Sequence, residues 1–141
     1  MEASYRLFSG ILASVAALFS PIAPLILSTG AFIAVDFLTG IAADRARSRR
    51  KGERWYFESR KAWNTIRKLG LALVTIALAW ILERYVLQGF MATHLTRIFT
   101  GFICGVELWS FLENASELSD APVFRFLRRY ARRHIGDKLR N

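Results

Sequence analysis

The placement of charge constrains this chain more than any other feature. Between Arg6 and Asp44 every residue except Asp36 is non-ionisable, whereas residues 44–68 hold ten of the twenty Lys and Arg residues. A helix rises about 1.5 Å per residue and a bilayer's hydrocarbon core is about 30 Å thick, so apolar runs of this length bordered by basic runs mark a membrane protein. The 141 residues suit one domain and leave no room for separate cofactor and substrate domains. A net charge of +9 on a soluble domain would suggest nucleic acid. Here the charge flanks the apolar segments, where anionic headgroups lie, and nucleic acid is an unlikely partner.

Three segments are long enough to cross: residues 25–43, 69–87 with Glu83 and Arg84 at headgroup level, and 95–112 with Trp109 as an interfacial aromatic. The fold class expected is an all-α membrane protein. Three transmembrane helices are joined by an N-terminal amphipathic or membrane-embedded helix over 4–19 and a basic amphipathic C-terminal helix. In the N-terminal segment Leu7, Phe8, Ile11, Leu12, Val15, Leu18 and Phe19 recur every three or four residues, with Ser9, Ala13, Ala16, Ala17 and Ser20 opposite. That second face suits packing on another helix or facing water in an oligomer. Pro21 and Pro24 then break or redirect the chain. Residues 44–68 read as a basic loop and 114–141 as a basic tail; both belong on the cytoplasmic side by the excess of Lys and Arg. The whole chain, 1–141, reads as a single membrane domain.

The polar residues within the apolar runs are the candidate site. Asp36, inside an apolar run and in the cytoplasmic half of its span, costs about 2.5–3.5 kcal/mol unless paired or neutralised. It either bonds Thr39, Thr29 or a basic residue and fixes the bundle, or faces a polar lumen and controls assembly. Glu107, Ser110 and Asn114 fall on one helical stripe, with Glu113 near its mouth. Such a stripe lies against a partner or a wet cavity rather than lipid. Arg45, Arg67 and Lys68 are possible counter-ions, and a proton shared between carboxyls is an alternative. Gly101 and Gly105 form a GxxxG pattern about 120° around the helix from Glu107, which permits close approach of two helices.

Two basic sets are interleaved with aromatics. Arg45, Arg47, Arg49, Arg50 and Lys51 open the loop, and Arg128, Arg129, Arg132 and Arg133 lie in the tail; both sets suit anionic lipid. A lone Cys104 forms no intramolecular disulfide, and no metal site, cofactor motif or catalytic constellation is present, so no cofactor and no enzymatic activity are expected.

Three motifs then carry a family resemblance. Asp36-Phe37-Leu38-Thr39-Gly40 resembles the Asp-aromatic-x-Thr-Gly motif of the toxin-secretion and phage-lysis holins, phage holin family 4. Glu107-Leu108-Trp109-Ser110-Phe111-Leu112-Glu113-Asn114 resembles that family's Glu-x-x-Ser-x-x-Glu-Asn signature, and Arg67-Lys68-Leu69-Gly70 its Lys-Leu-Gly segment. Departures are a longer, more arginine-rich tail, and Ser119-Asp120-Ala121-Pro122 in place of a Gly-x-Pro-x-Pro turn. The resemblance implies a homo-oligomeric holin whose lesion lets a muralytic endolysin or a toxin cross the inner membrane. Asp36, Thr39, Gly40, Gly101, Gly105, Glu107, Ser110, Glu113 and Asn114 would serve assembly or the opening. The alternative is a non-lytic oligomeric scaffold or small transport component using the same residues as buried glue.

Overall fold

The computed structural model of the chain describes residues 2–88, 94–119, 121–124, 126, 129 and 130. It is an all-α membrane protein with four long helices: α1 (Glu2–Leu18), α2 (Ala23–Lys51), α3 (Ser59–Ile81) and α4 (Leu95–Leu118). The last three are each long and apolar enough to cross a membrane. A 3-10 turn, Ser20–Ile22, links α1 to α2, and Pro21 and Pro24 fit there because the first turns of a helix leave their N–H groups unbonded anyway.

Buried residues recur in a seven-residue pattern. They are Thr29, Ile33, Asp36 and Ala43 on α2, Ala72, Ile76 and Ala79 on α3, and Thr96, Thr100 and Glu107 on α4, whose buried Ala115 and Ser116 depart from the pattern near its end. That period lets helices wrap one another with a left-handed seam. Contacts climb together on α2 and α4, from Thr29 with Cys104 to Asp36 with Asn114 to Arg50 with Glu117, so these helices run parallel. Asp44 meets Lys61 while Asp36 meets Lys68, so α3 runs antiparallel. The α2–α4 seam is the most extensive in the bundle.

The core is small and half polar, while the large apolar side chains point outward. Leu27, Leu71 and Phe102 are 72%, 69% and 71% exposed, which is the arrangement of a bundle solvated by acyl chains. Helix α1 stands apart. Its described side chains from Ser4 to Leu18 are exposed on both faces, and it is tied down at its end by Phe19 against Trp80, ring centroids 5.9 Å apart, and by buried Ile22. The packing of its small-residue face on another helix of the same chain is therefore absent among its described side chains.

Two expectations change. The basic loop over 44–68 is mostly helix: α2 continues to Lys51, α3 begins at Ser59, and only residues 52–58 are irregular. Arg and Lys are good helix formers, and nothing breaks the run until Gly52. There the backbone turns left-handed at φ 70°, and a paired C-terminal cap forms, Gly52 N–H to Arg49 O at 3.2 Å and Glu53 N–H to Ser48 O at 3.0 Å. Likewise α4 passes residue 112 and ends at Leu118. Of the expected C-terminal helix, residues 122–124, 126, 129 and 130 are helical, and the rest, including Arg128, Arg132 and Arg133, lies outside the described residues.

Glu83 does not simply sit among headgroups. It lies in a π-helical turn, Leu82–Val86, and its carboxylate accepts the Thr96 N–H at 2.8 Å and the Thr96 hydroxyl at 2.6 Å. It thus caps the N-terminus of α4 from the preceding helix, where the macrodipole also favours an anion. Replacing Glu83 with Ala should lower the unfolding free energy in detergent by about 2 kcal/mol and remove exchange protection first in the opening turn of α4, as read by amide hydrogen exchange; Glu83→Gln should fall between.

Candidate functional site: a charged cluster inside the bundle

Each of the three packed helices contributes one ionic side chain to a single cluster. The Lys68 ammonium donates to Glu107 Oε2 at 2.8 Å and to Asp36 Oδ2 at 3.2 Å. Asn114 Nδ2 donates to the other Asp36 oxygen, Oδ1, at 3.0 Å. Glu107 is 3% exposed and Asp36 9%, whereas the Lys68 side chain is 44% exposed. The ammonium therefore reaches inward from the bundle's rim.

The local chain explains why these groups can meet. Gly40 lies one turn after Asp36, and a Cβ there would stand 3.4 Å from Asn114 Nδ2, so α2 passes within van der Waals reach of that amide. The Thr39 hydroxyl donates back to Val35 O at 2.8 Å and Asp36 O at 3.0 Å, satisfying itself within α2 instead of competing for the Asp36 carboxylate. Thr29 likewise bonds Leu25 O at 3.0 Å and touches Cys104 Sγ at 3.8 Å, well away from Asp36.

Not every candidate joins the cluster. Ser110 is half-buried, and Glu113 is exposed, its carbonyl taking the Ser116 hydroxyl at 2.7 Å. Gly101 and Gly105 face outward with nothing within 4 Å of where a Cβ would stand. Gly105 lines a shallow groove of about 340 Å³ with Phe102, Val106 and Trp109, and Trp109 meets Tyr130 edge-on at 6.3 Å. Of the basic residues expected to meet lipid, two are paired among the described residues: Arg47 with Asp44 at 3.5 Å, and Arg50 with the Glu117 carboxylate at 3.1 Å and its carbonyl at 2.7 Å. Asp44 also pairs with Lys61.

Lys68 as the bridge between both acids is what a count of loop charges misses. A signal did exist: Lys68 stands four and eight residues before Ala72 and Ile76, so the buried stripe of α3 extended back one turn passes through it. The Glu83 cap and the Arg50–Glu117 clasp have no comparable periodic signal, since each depends on how the helices are joined.

Asp36, Gly40, Lys68, Glu107 and Asn114 thus come together from the three motifs noted in the sequence. Residues 13–133 match the bacteriophage holin family. The chain belongs to that family. The match takes in the whole of α2, α3 and α4, so the three helices of this holin-family bundle and the residues of its cluster all lie inside it. No curated protein and no solved structure matches the chain.

Removing the bridging cation should be the most damaging single change at this site. Lys68→Met leaves two carboxylates facing each other inside the bundle and should cost about 3 kcal/mol or more in detergent unfolding. The combination Lys68→Met, Asp36→Asn, Glu107→Gln should recover most of that loss, because it removes the charges as well as the pairing; equal stability of Lys68→Met and the wild type would contradict the bridge.

Proposed function

We propose that this chain acts as a lesion-forming holin of the bacterial cytoplasmic membrane: copies accumulate, associate, and open a path through which a muralytic endolysin or a toxin leaves the cytoplasm. The observation that supports the reading best is the Lys68 bridge between Asp36 and Glu107. It places ionic groups of three holin-like motifs together in a bundle whose exterior is apolar. Charges so placed are affordable in hydrocarbon only while each holds the others. Turning them outward is favourable once water or further copies supply new polar surroundings, which makes opening depend on assembly.

In this reading the Gly101 and Gly105 face lets a second copy approach α4 closely, and Asp36, Glu107 and Asn114 move from pairing with each other to lining the opening. Ser110 and Glu113 lie along the same edge of α4. The α2–α3 hairpin and the tail face the cytoplasm, and Arg84 and Arg97 lie at the opposite end, in accord with the excess of Lys and Arg.

The test is inducible expression beside a cytosolic muralytic enzyme that lacks an export signal, with turbidity and membrane potential followed together. A delay, then abrupt lysis with collapse of potential, is expected. Asp36→Asn and Glu107→Gln, which each remove one of the two acids bridged by Lys68, should each shift the onset at equal membrane levels, and unchanged timing in both would remove these carboxylates from the mechanism. Collapse of potential without lysis would mean a small ion pore. Neither change, with insertion confirmed, would mean a non-lytic scaffold.

A further inference from the structure

The basic residues of the α2–α3 hairpin divide into two sets with different surroundings. Arg47, Arg50, Lys61 and Lys68 are held by carboxylates of the chain. Arg45, Arg49, Lys51, Arg54, Arg60 and Arg67 have no carboxylate within 4.0 Å among the described residues, and all six are exposed. Two acids of the hairpin, Glu53 and Glu58, are exposed as well and leave the unpaired set strongly positive.

The position of four of these cations on their helices shows what they face. On α2 the outward stripe runs Leu27, Ala31, Leu38, Ala42, Arg45, Arg49, each three, four or seven residues from the last and each exposed. On α3 it runs Arg60, Trp63, Arg67, Leu71, Val74, Leu78. Each stripe is apolar along the bundle and turns basic at the same end, since α2 and α3 are antiparallel and Asp44 meets Lys61 there. Trp63, 61% exposed, stands between Arg60 and Arg67 at that change.

We infer that Arg45, Arg49, Arg60 and Arg67, with Trp63, form a binding surface for the headgroups of anionic phospholipids. A lipid whose acyl chains lie along Leu71 and Val74, or along Leu38, brings its phosphate to the cations that continue the same stripe. Guanidinium groups take a phosphate through two parallel N–H donors, and an indole at the boundary has one apolar and one wet side to satisfy. A nucleic acid or an acidic protein would need the cations turned away from the acyl-facing side, whereas these share it. The surface does not depend on lesion formation, so it stands or falls apart from the proposed function.

Full-length protein reconstituted in phosphatidylcholine vesicles tests the inference through tryptophan fluorescence, with either phosphatidylglycerol or phosphatidylcholine brominated on its acyl chains at equal fraction. The ratio of quenching by the anionic to the zwitterionic lipid should exceed one and fall to one in high salt. It should also fall to one in Arg45→Gln, Arg49→Gln, Arg60→Gln, Arg67→Gln combined, and stay above one in Arg84→Gln, Arg97→Gln, which alters the opposite end. A ratio of one in the wild-type protein, or an excess that survives the fourfold change, overturns the inference. So does displacement of the anionic lipid by duplex DNA at physiological salt, which would assign the surface to nucleic acid. The salt series on the wild-type protein decides the matter even where the fourfold variant does not fold.

Discussion

The ammonium of Lys68 between the carboxylates of Asp36 and Glu107 sets the register of all three spanning helices at once. A shift of one helix by a single turn, about 5.4 Å, would carry its charge out of contact and strand it in hydrocarbon. Apolar side chains give no such signal in a bilayer, because lipid tails solvate them as well as another helix does. With Asp36, Lys68 and Glu107 level, the other cross-links follow at helical intervals. Gly40 falls against Asn114 one turn on, Asp44 against Lys61 a turn beyond that, and Arg50 reaches Glu117 near the ends of α2 and α4. The far ends of α3 and α4 are joined independently by Glu83 and Thr96.

A register held by charge leaves the remaining core free to be thin. Its apolar members are alanine and isoleucine, and the hydroxyls of Thr29, Thr100 and Ser116 return hydrogen bonds to their own helices, to Leu25, Thr96 and Glu113, while that of Thr96 goes to Glu83. Small residues bring the backbones close and back-bonded hydroxyls carry little desolvation cost, so dispersion contacts are dense even though few large side chains are buried. The exposed leucines and phenylalanines are the counterpart. In water they would be a liability, and in acyl chains they are the solvated surface.

Much of this was legible in the sequence because its two periodicities are simple. Apolar length located the spanning helices, three-and-four spacing put Glu107, Ser110 and Asn114 on one stripe, and the cost of a lone carboxylate in an apolar run singled out Asp36. The ends of the helices were hidden: composition changes from apolar to basic near Asp44, but helical propensity does not change until Gly52, so a shift in polarity looks like a loop where none exists. Arg47 and Arg50 were read by charge alone and assigned to lipid; in the structure they also pair with Asp44 and Glu117 while their side chains stay exposed. The GxxxG pattern signals close packing wherever a partner helix is present. Among the described residues none lies there, and nothing stands within 4 Å of a Cβ built on Gly101 or Gly105.

That open face and the cluster bear on each other through α4. The helix presents Glu107 to α2 and α3 on one side and Gly101 and Gly105 outward on another, so a copy of the chain docking on the glycines would press on the same helix that carries the buried acid. Counted formally, the cluster holds two carboxylates against one ammonium, and Asn114 neutralises neither. An excess charge kept in hydrocarbon is a standing cost to the closed bundle that no apolar rearrangement removes, whereas water admitted between copies does. Under the proposed function the same three side chains thus do two opposed jobs. Their pairing holds the closed register while copies are few, and their uncompensated charge favours a wetter arrangement once neighbours are there to enclose it.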